Sequence, residues 1–168
     1  MIFILSDQIN SGKSTYVLKL AEKLIAQGAR ISGFVTTPHI QESRKIGQDL
    51  VLIKNGKIKP AIPFTRLSNI KDSFRWRRFN FSRRALAEVR QIEPSGDLFI
   101  MDEIGPLELD EQGGFYQAAK HIATAAKNVI IVVRSELVDR IGEILGTRQL
   151  NFYSLDTKQN LETDLKSL

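Results

Sequence analysis

The sequence predicts an α/β protein: a three-layer α/β/α sandwich around a mainly parallel sheet, with an antiparallel hairpin inserted in its middle. Three observations carry that expectation. Short apolar runs of strand character recur at residues 2–5, 31–35, 50–53, 98–101 and 129–133. Several of these runs are separated by stretches whose apolar residues fall at helical spacing. The stretch DLVLIKNGKIKPAI places Asn55 and Gly56 between two extended runs, the strongest short signal for a two-residue hairpin turn.

Taken in order, the first run leads through a glycine-containing loop into a helix over residues 14–27. Tyr16, Val17, Leu20 and Leu24 form its apolar stripe, and Gly28 stops it. The strand at 31–35 follows, then the hairpin insertion at about residues 48–66. Residues 81–92 read as a helix capped by Asn80 or Ser82, leading through Pro94 and Gly96 into the strand at 98–101. A helix near 111–126, the strand ending at 133, a helix near 137–145, a strand at 152–155 and a last helix complete the order. Parallel neighbours joined through helices require right-handed crossovers. A chain of 168 residues accommodates one such domain with a substantial core, expected to span residues 1–168.

Composition narrows the chemistry. With 42% hydrophobic and 26% charged residues and no repeated or biased tract, the chain is an ordinary ordered globular protein. The absence of cysteine removes disulfides, thiolate ligands and thiol nucleophiles. His39 and His121 are too few for a structural zinc site, so any metal is expected to be oxygen-bound, as magnesium is. No basic leader precedes MIFILSD and no apolar run approaches the ~18 residues of a membrane span, so a cytoplasmic setting without a membrane partner is expected. The net charge of +5 favours anionic ligands such as nucleotides, and nucleic acid is the less favoured partner at so modest a charge. Oligomeric state is not legible.

The stretch LSDQINSGKST fits the phosphate-loop pattern GxxxxGKS/T except at its first glycine, where Asp7 stands. In such a loop, backbone amides and the positive end of the following helix face the phosphates, a lysine bridges the β and γ oxygens, and a hydroxyl holds magnesium. Those tasks fall to Asn10, Ser11 and Gly12, to Lys13, and to Ser14, with Thr15 the next hydroxyl into the helix. An inward-pointing Asp7 carboxylate would oppose phosphate charge, so it is expected to turn away.

In DLFIMDEIGPLEL, four apolar residues run into Asp102 and Glu103 at the expected carboxyl end of a buried strand. Ligands of open α/β sheets bind outside those ends, which places Asp102 to hold magnesium and Glu103 to polarise an attacking water. Glu108 follows Gly105 and Pro106 as a supporting candidate, and Arg134, directly after VIIVV, is placed to sense the γ-phosphate. Asn160 lies where a base contact or a helix cap is expected. The segment FRWRRFNFSRR, with five arginines from Arg75 to Arg84 among Trp76, Phe79 and Phe81, suits a lid over phosphates, a stacking face for nucleic acid or a basic surface.

On NSGKST, ISGFVTTPHIQESRKIG, DEIGPLEL and DTKQNL the chain resembles the small phosphate-loop nucleoside-triphosphatases first described from thermophiles, a family that includes a human cancer-related NTPase. Gly33, Phe34 and Thr36 match its glycine-phenylalanine-x-threonine segment, and Glu42 loosely matches an acidic position. The acidic pair followed by isoleucine, glycine, proline and a further glutamate is the most specific match. Three places depart from the family: Asp7 replaces a glycine, Lys45 stands where an arginine is usual, and residues 158–161 keep only Asn160 of an asparagine-arginine pair. Lys45 retains charge without the planar fork that grips a phosphate bidentately. The resemblance implies a Mg-dependent phosphate-loop NTPase that hydrolyses ATP and GTP with little base preference. Two other readings use the same residues: a nucleotide or nucleoside kinase with the arginine-rich segment as lid, and a nucleotide-dependent switch or RNA-associated protein with negligible hydrolysis.

Overall fold

A computed structural model describes residues 1–146 and 148–166. Its strands are β1 (Ile2–Asp7), β2 (Ile31–Gln41), β3 (Arg44–Lys54), β4 (Lys57–Ile58), β5 (Ile62–Arg66), β6 (Ser73–Trp76), β7 (Phe79–Ser82), β8 (Leu98–Ile104), β9 (Val129–Arg134) and β10 (Leu150–Tyr153). The helices are α1 (Lys13–Ala26), α2 (Arg83–Arg90), α3 (Pro106–Glu111), α4 (Tyr116–Ala125), α5 (Gly142–Leu145) and α6 (Lys158–Leu165), with a 3-10 turn at Ser135–Arg140. All the described strands join one sheet in the order β10, β1, β9, β8, β2, β3, β5, β7, β6, with β4 hydrogen-bonded to β3. The first five in that order are parallel. From β2 onward every pairing is antiparallel.

Side-chain alternation builds the three layers. Phe3, Leu5, Ile130 and Val132 face one side with Val17, Leu20 and Ala21 of α1 and Leu161 and Leu165 of α6. Ile2, Ile4, Val129, Ile131 and Val133 face the other, against Leu86 and Val89 of α2, Ala119 and Ile122 of α4, and Ile144 of α5. Among the described residues no helix is long and apolar enough to cross a membrane.

β2 is the seam between the two kinds of sheet. Its first residues pair with β8 in parallel, from Ile31 opposite Leu98 to Phe34 opposite Met101. From Gly33 to its end it pairs with β3 in antiparallel. Gly33 on the seam has φ +136, and a Cβ there would lie 2.0 Å from the Ile100 carbonyl oxygen, so only glycine lets β2 approach β8 this closely.

Several elements differ from the sequence reading, each for a local reason. The expected turn at Asn55 and Gly56 forms, with φ of 53° and 68°, but it joins β3 only to the short β4. The antiparallel part is much larger than residues 48–66. It begins in β2, turns at Glu42 and Ser43 (φ 47° and 61°) and runs to Ser82. Residues 73–82, of which only 81 and 82 are expected in an element, the helix start, form the β6–β7 hairpin around Arg77 and Arg78, with Trp76 opposite Phe79. The helix expected at 81–92 therefore begins at Arg83. Ser82 is its cap, accepting from the Ala85 amide, while the Asn80 side chain donates to the Leu67 and Ser68 carbonyls. The helix expected near 111–126 is α4 alone, starting at Tyr116; α3 precedes it unforeseen, and Gln112 and Gly114 take positive φ between the two. The helix near 137–145 is a 3-10 turn followed by the short α5, and the last strand is Leu150–Tyr153 instead of 152–155.

Candidate active site

The loop between β1 and α1 does what its residues require. Gly12 has φ +98 and Asn10 φ +60, so the backbone bends back on itself before the helix begins at Lys13. The Lys13 ammonium lies along the loop, donating to the Asp7 carbonyl at 2.8 Å, the Gln8 carbonyl at 2.6 Å and the Ser11 hydroxyl at 3.3 Å. Burial pulls its pKa below the ordinary lysine range, and the Asp7, Asp102 and Glu103 carboxylates act against that fall. The Asp7 side chain turns away from the loop mouth, accepting from the Gln8 amide at 2.7 Å and the Leu155 amide at 3.3 Å. It does not line the cleft.

That cleft has a volume of about 400 Å³ and brings together Asn10 through Thr15 with Lys45, Asp102, Glu103 and Arg134. Asp102 is fully buried. Its Oδ2 accepts from the Thr36 amide and the Thr36 hydroxyl, each at 2.8 Å. This is a consequence of the seam: the β2–β8 ladder ends at Phe34 and Met101, and the next inward amide of β2 finds a carboxylate in place of a backbone carbonyl. Burial and the neighbouring Glu103 push the Asp102 pKa up to about 6, while the Thr36 donors and the Ser14 hydroxyl favour the ionised form. Asp102 Oδ1 is buried without a hydrogen-bond partner among the described residues.

Glu103 sits at an irregularity where β8 loses register with β9 between Met101 and Ile104, and its φ is +65. A left-handed backbone costs a side-chain-bearing residue about 1–2 kcal/mol. The carboxylate is gripped in return: Oε2 accepts from the Gln48 side-chain amide and from the Thr36 hydroxyl at 3.2 Å, and Oε1 meets Arg134 at 3.3 Å. Thr36 and Gln48 were given no role from the sequence. Thr36 lay inside a matched segment, so its motif was a usable signal. Gln48 carries none, since nothing in β3 marks which polar residue of an alternating strand will meet β8.

Glu108 acts on the backbone just past the acidic pair. It is buried, and its oxygens accept from the Gly105 amide at 2.9 Å, the glutamate half of a capping box on α3, and from the Phe115 amide at 3.0 Å. It lines the neighbouring cleft, not the phosphate cleft. Asn160 is in the first turn of α6 and lines neither.

A strand, a glycine-turned loop on a helix N-terminus, and an acidic pair at the end of a parallel strand define a phosphate-loop nucleotide-binding protein. A protein-family model described as NTPase matches residues 2–164, and the chain belongs to that family. It is 25% identical over 146 residues to a nucleoside-triphosphatase THEP1 from Pyrococcus abyssi, covering 83% of this chain and 78% of that one. A nucleoside-triphosphatase THEP1 from Thermococcus kodakarensis is 24% identical over 152 residues, covering 84% and 80%. The fold matches the solution structure of a human cancer-related nucleoside triphosphatase with a TM-score of 0.66, at 22% identity over 98% of this chain and 93% of that one. The crystal structure of THEP1 from Aquifex aeolicus matches with a TM-score of 0.57, at 23% identity over 99% and 96%.

Proposed function

We propose that this NTPase hydrolyses ATP and GTP to the diphosphate and phosphate with magnesium. The observation that carries the reading is the convergence of Lys13, Ser14, Asp102 and Glu103 on one cleft. Lys13, released from the loop carbonyls it now bonds, and the amides of Asn10 to Gly12 hold the phosphates. The buried, unpartnered Asp102 Oδ1 beside Ser14 suits a hard cation with oxygen ligands. Among the described residues no cluster of three or more histidine, aspartate or glutamate side chains offers an alternative metal site. When bound there, magnesium neutralises phosphate charge. Glu103, fixed by Gln48, Thr36 and Arg134, orients a water for in-line attack and takes its proton. Lys45 and Arg134 line the same cleft and offset the charge that develops as the γ-phosphate leaves. Asn160 lies inside the first turn of α6, whose N-cap is Thr157, and it lines neither cleft, so it takes no part in this reading.

Phosphate release from Mg-ATP and Mg-GTP, repeated with a chelator and with Lys13→Ala, tests this. Release that depends on the metal and on Lys13, at similar rates for both nucleotides, is the expected result. Release indifferent to Lys13→Ala would overturn the site.

A further inference from the structure

A second cleft of about 490 Å³ opens beside the first. Its wall is aromatic: Phe64, Trp76, Phe79, Phe81 and Phe115 all line it. The rings brace one another, with Phe64 stacked on Phe115 at 5.0 Å and edge-on to Phe81 at 5.5 Å, and Trp76 edge-on to Phe81 at 6.1 Å. At the rim, the Arg77 and Arg78 guanidinium groups lie over Trp76 and Phe79, 4.4 and 5.0 Å from the ring centres. At the inner end, Lys45, Glu103 and Arg134 line both clefts, so the two rooms meet where the γ-phosphate is attacked. The acidic residues in the second cleft are Glu103 and Glu108, and Glu108 is engaged by two backbone amides.

Water needs no such room. Phe64 and Phe115 are buried behind the wall, so the half-exposed rings of Trp76, Phe79 and Phe81 present the surface on which a heteroaromatic base stacks, and cations at both ends accept an anion. We propose that the second cleft is a phosphoryl-acceptor site for a nucleoside monophosphate, with its base against the ring wall and its phosphate at Lys45 and Arg134. An oxygen of the acceptor phosphate forms the new bond to the γ-phosphorus. The bond from that phosphorus to the β–γ bridging oxygen breaks, and its electron pair leaves on the donor diphosphate. Two nucleoside diphosphates result, with no oxidant or reductant and no net proton to place. Lys45 and Arg134 offset the repulsion between the two phosphates where they meet. The inference rests on the proposed hydrolase site for its donor.

Trp76 is the single tryptophan of the chain and lines the second cleft but not the first, so its fluorescence reports on the second. The full chain is titrated with AMP, GMP, CMP and UMP, then supplied with magnesium and ATP labelled at the γ-phosphate, and the products are separated. At least one monophosphate should quench Trp76 saturably and carry the label as a diphosphate. Phe79→Ala should weaken that monophosphate about tenfold through loss of stacking. The exposed double variant Arg77→Glu, Arg78→Glu should lower the ratio of labelled diphosphate to free phosphate, with a melting curve confirming that each variant folds. Saturable quenching with label appearing only as free phosphate overturns the acceptor role. Phosphate release without quenching or transfer for any of the four overturns the inference and leaves hydrolysis standing. Transfer without phosphate release in the absence of a monophosphate upholds the inference and overturns hydrolysis.

Discussion

The parallel and antiparallel halves of the sheet are built from different sequence material and contribute different things to the site. β1, β8 and β9 are buried on both faces and read as nearly unbroken apolar runs, as interior parallel strands must. β6 and β7 alternate or stay half-exposed, as an antiparallel sheet with one solvated face does. The parallel half carries Lys13, Asp102, Glu103 and Arg134 at its strand ends. The antiparallel half reaches across the seam with Thr36, Lys45 and Gln48 and builds the ring wall beyond. On the proposed mechanism, one half grips phosphates, and the other fixes the surroundings of Glu103.

Replacing Glu103 tests the first half of that division and carries the largest expected effect. Glu103→Gln keeps the size of the side chain and removes its basicity, so turnover should fall about 10²–10⁴-fold while nucleotide affinity is retained. Single-turnover phosphate release, set beside equilibrium nucleotide binding, separates the two quantities. Intact hydrolysis in this variant would move the attacking-water role elsewhere.

Thr36 on the seam comes next. Thr36→Val preserves shape and strand preference but takes one of two donors from Asp102 Oδ2 and one contact from Glu103. The Thr36 amide still serves Oδ2, so the loss is one hydrogen bond to a carboxylate, about 1.5–3 kcal/mol; the melting temperature should drop, and turnover should fall about tenfold as Glu103 loosens. A stability loss with unchanged turnover would confine Thr36 to folding. Gln48→Leu removes the contact of β3 with Glu103 and a 3.4 Å contact to the Thr36 hydroxyl. Arg134 and Thr36 still hold the carboxylate, so kcat should fall less than for Thr36→Val, by about threefold to tenfold, with KM little changed. An effect as large as that of Glu103→Gln would mean that the antiparallel half carries chemistry itself.

The same division decides what was legible in the sequence. Buried parallel strands declare themselves through continuous apolar runs, and the phosphate loop and the acidic pair sit at their ends, so the parallel half could be read residue by residue. Asn55 and Gly56 announced their turn because both residues tolerate positive φ. Glu42, Ser43 and Arg77 also take positive φ, without the glycine or asparagine that would have marked them. The hairpins they close, and with them Gln48 and the ring wall, therefore stayed hidden. Glu108 was read as an acid near the site because its motif places it there. Its actual partners are backbone amides fixed by how α3 and α4 break, and the spacing in one strand-loop segment does not reveal that.

Glu108 joins the two halves, since it fastens Gly105, two residues past Glu103, to Phe115 in the ring wall. Burial raises its pKa to about 7 from an ordinary value of 4.5, even though the Phe115 and Gly105 amides favour the ionised form. Below about pH 4.5 the carboxyl is protonated in folded and unfolded chains alike, and its full stabilising share is present. Between 4.5 and 7 the folded chain keeps a proton that the unfolded chain releases, so stability falls as pH rises. Above 7 both forms are ionised and the loss, up to about 3 kcal/mol, is complete. Glu108→Gln sets an amide against a backbone donor and should be less stable at every pH. Its melting temperature should nevertheless vary less between pH 5 and 8 than that of the unaltered chain, and the gap between the two curves should narrow toward high pH. Parallel curves would show that Glu108 is ionised throughout, held so by its two amides. The tie between the halves would then be a charged one, strengthened rather than spent as pH rises.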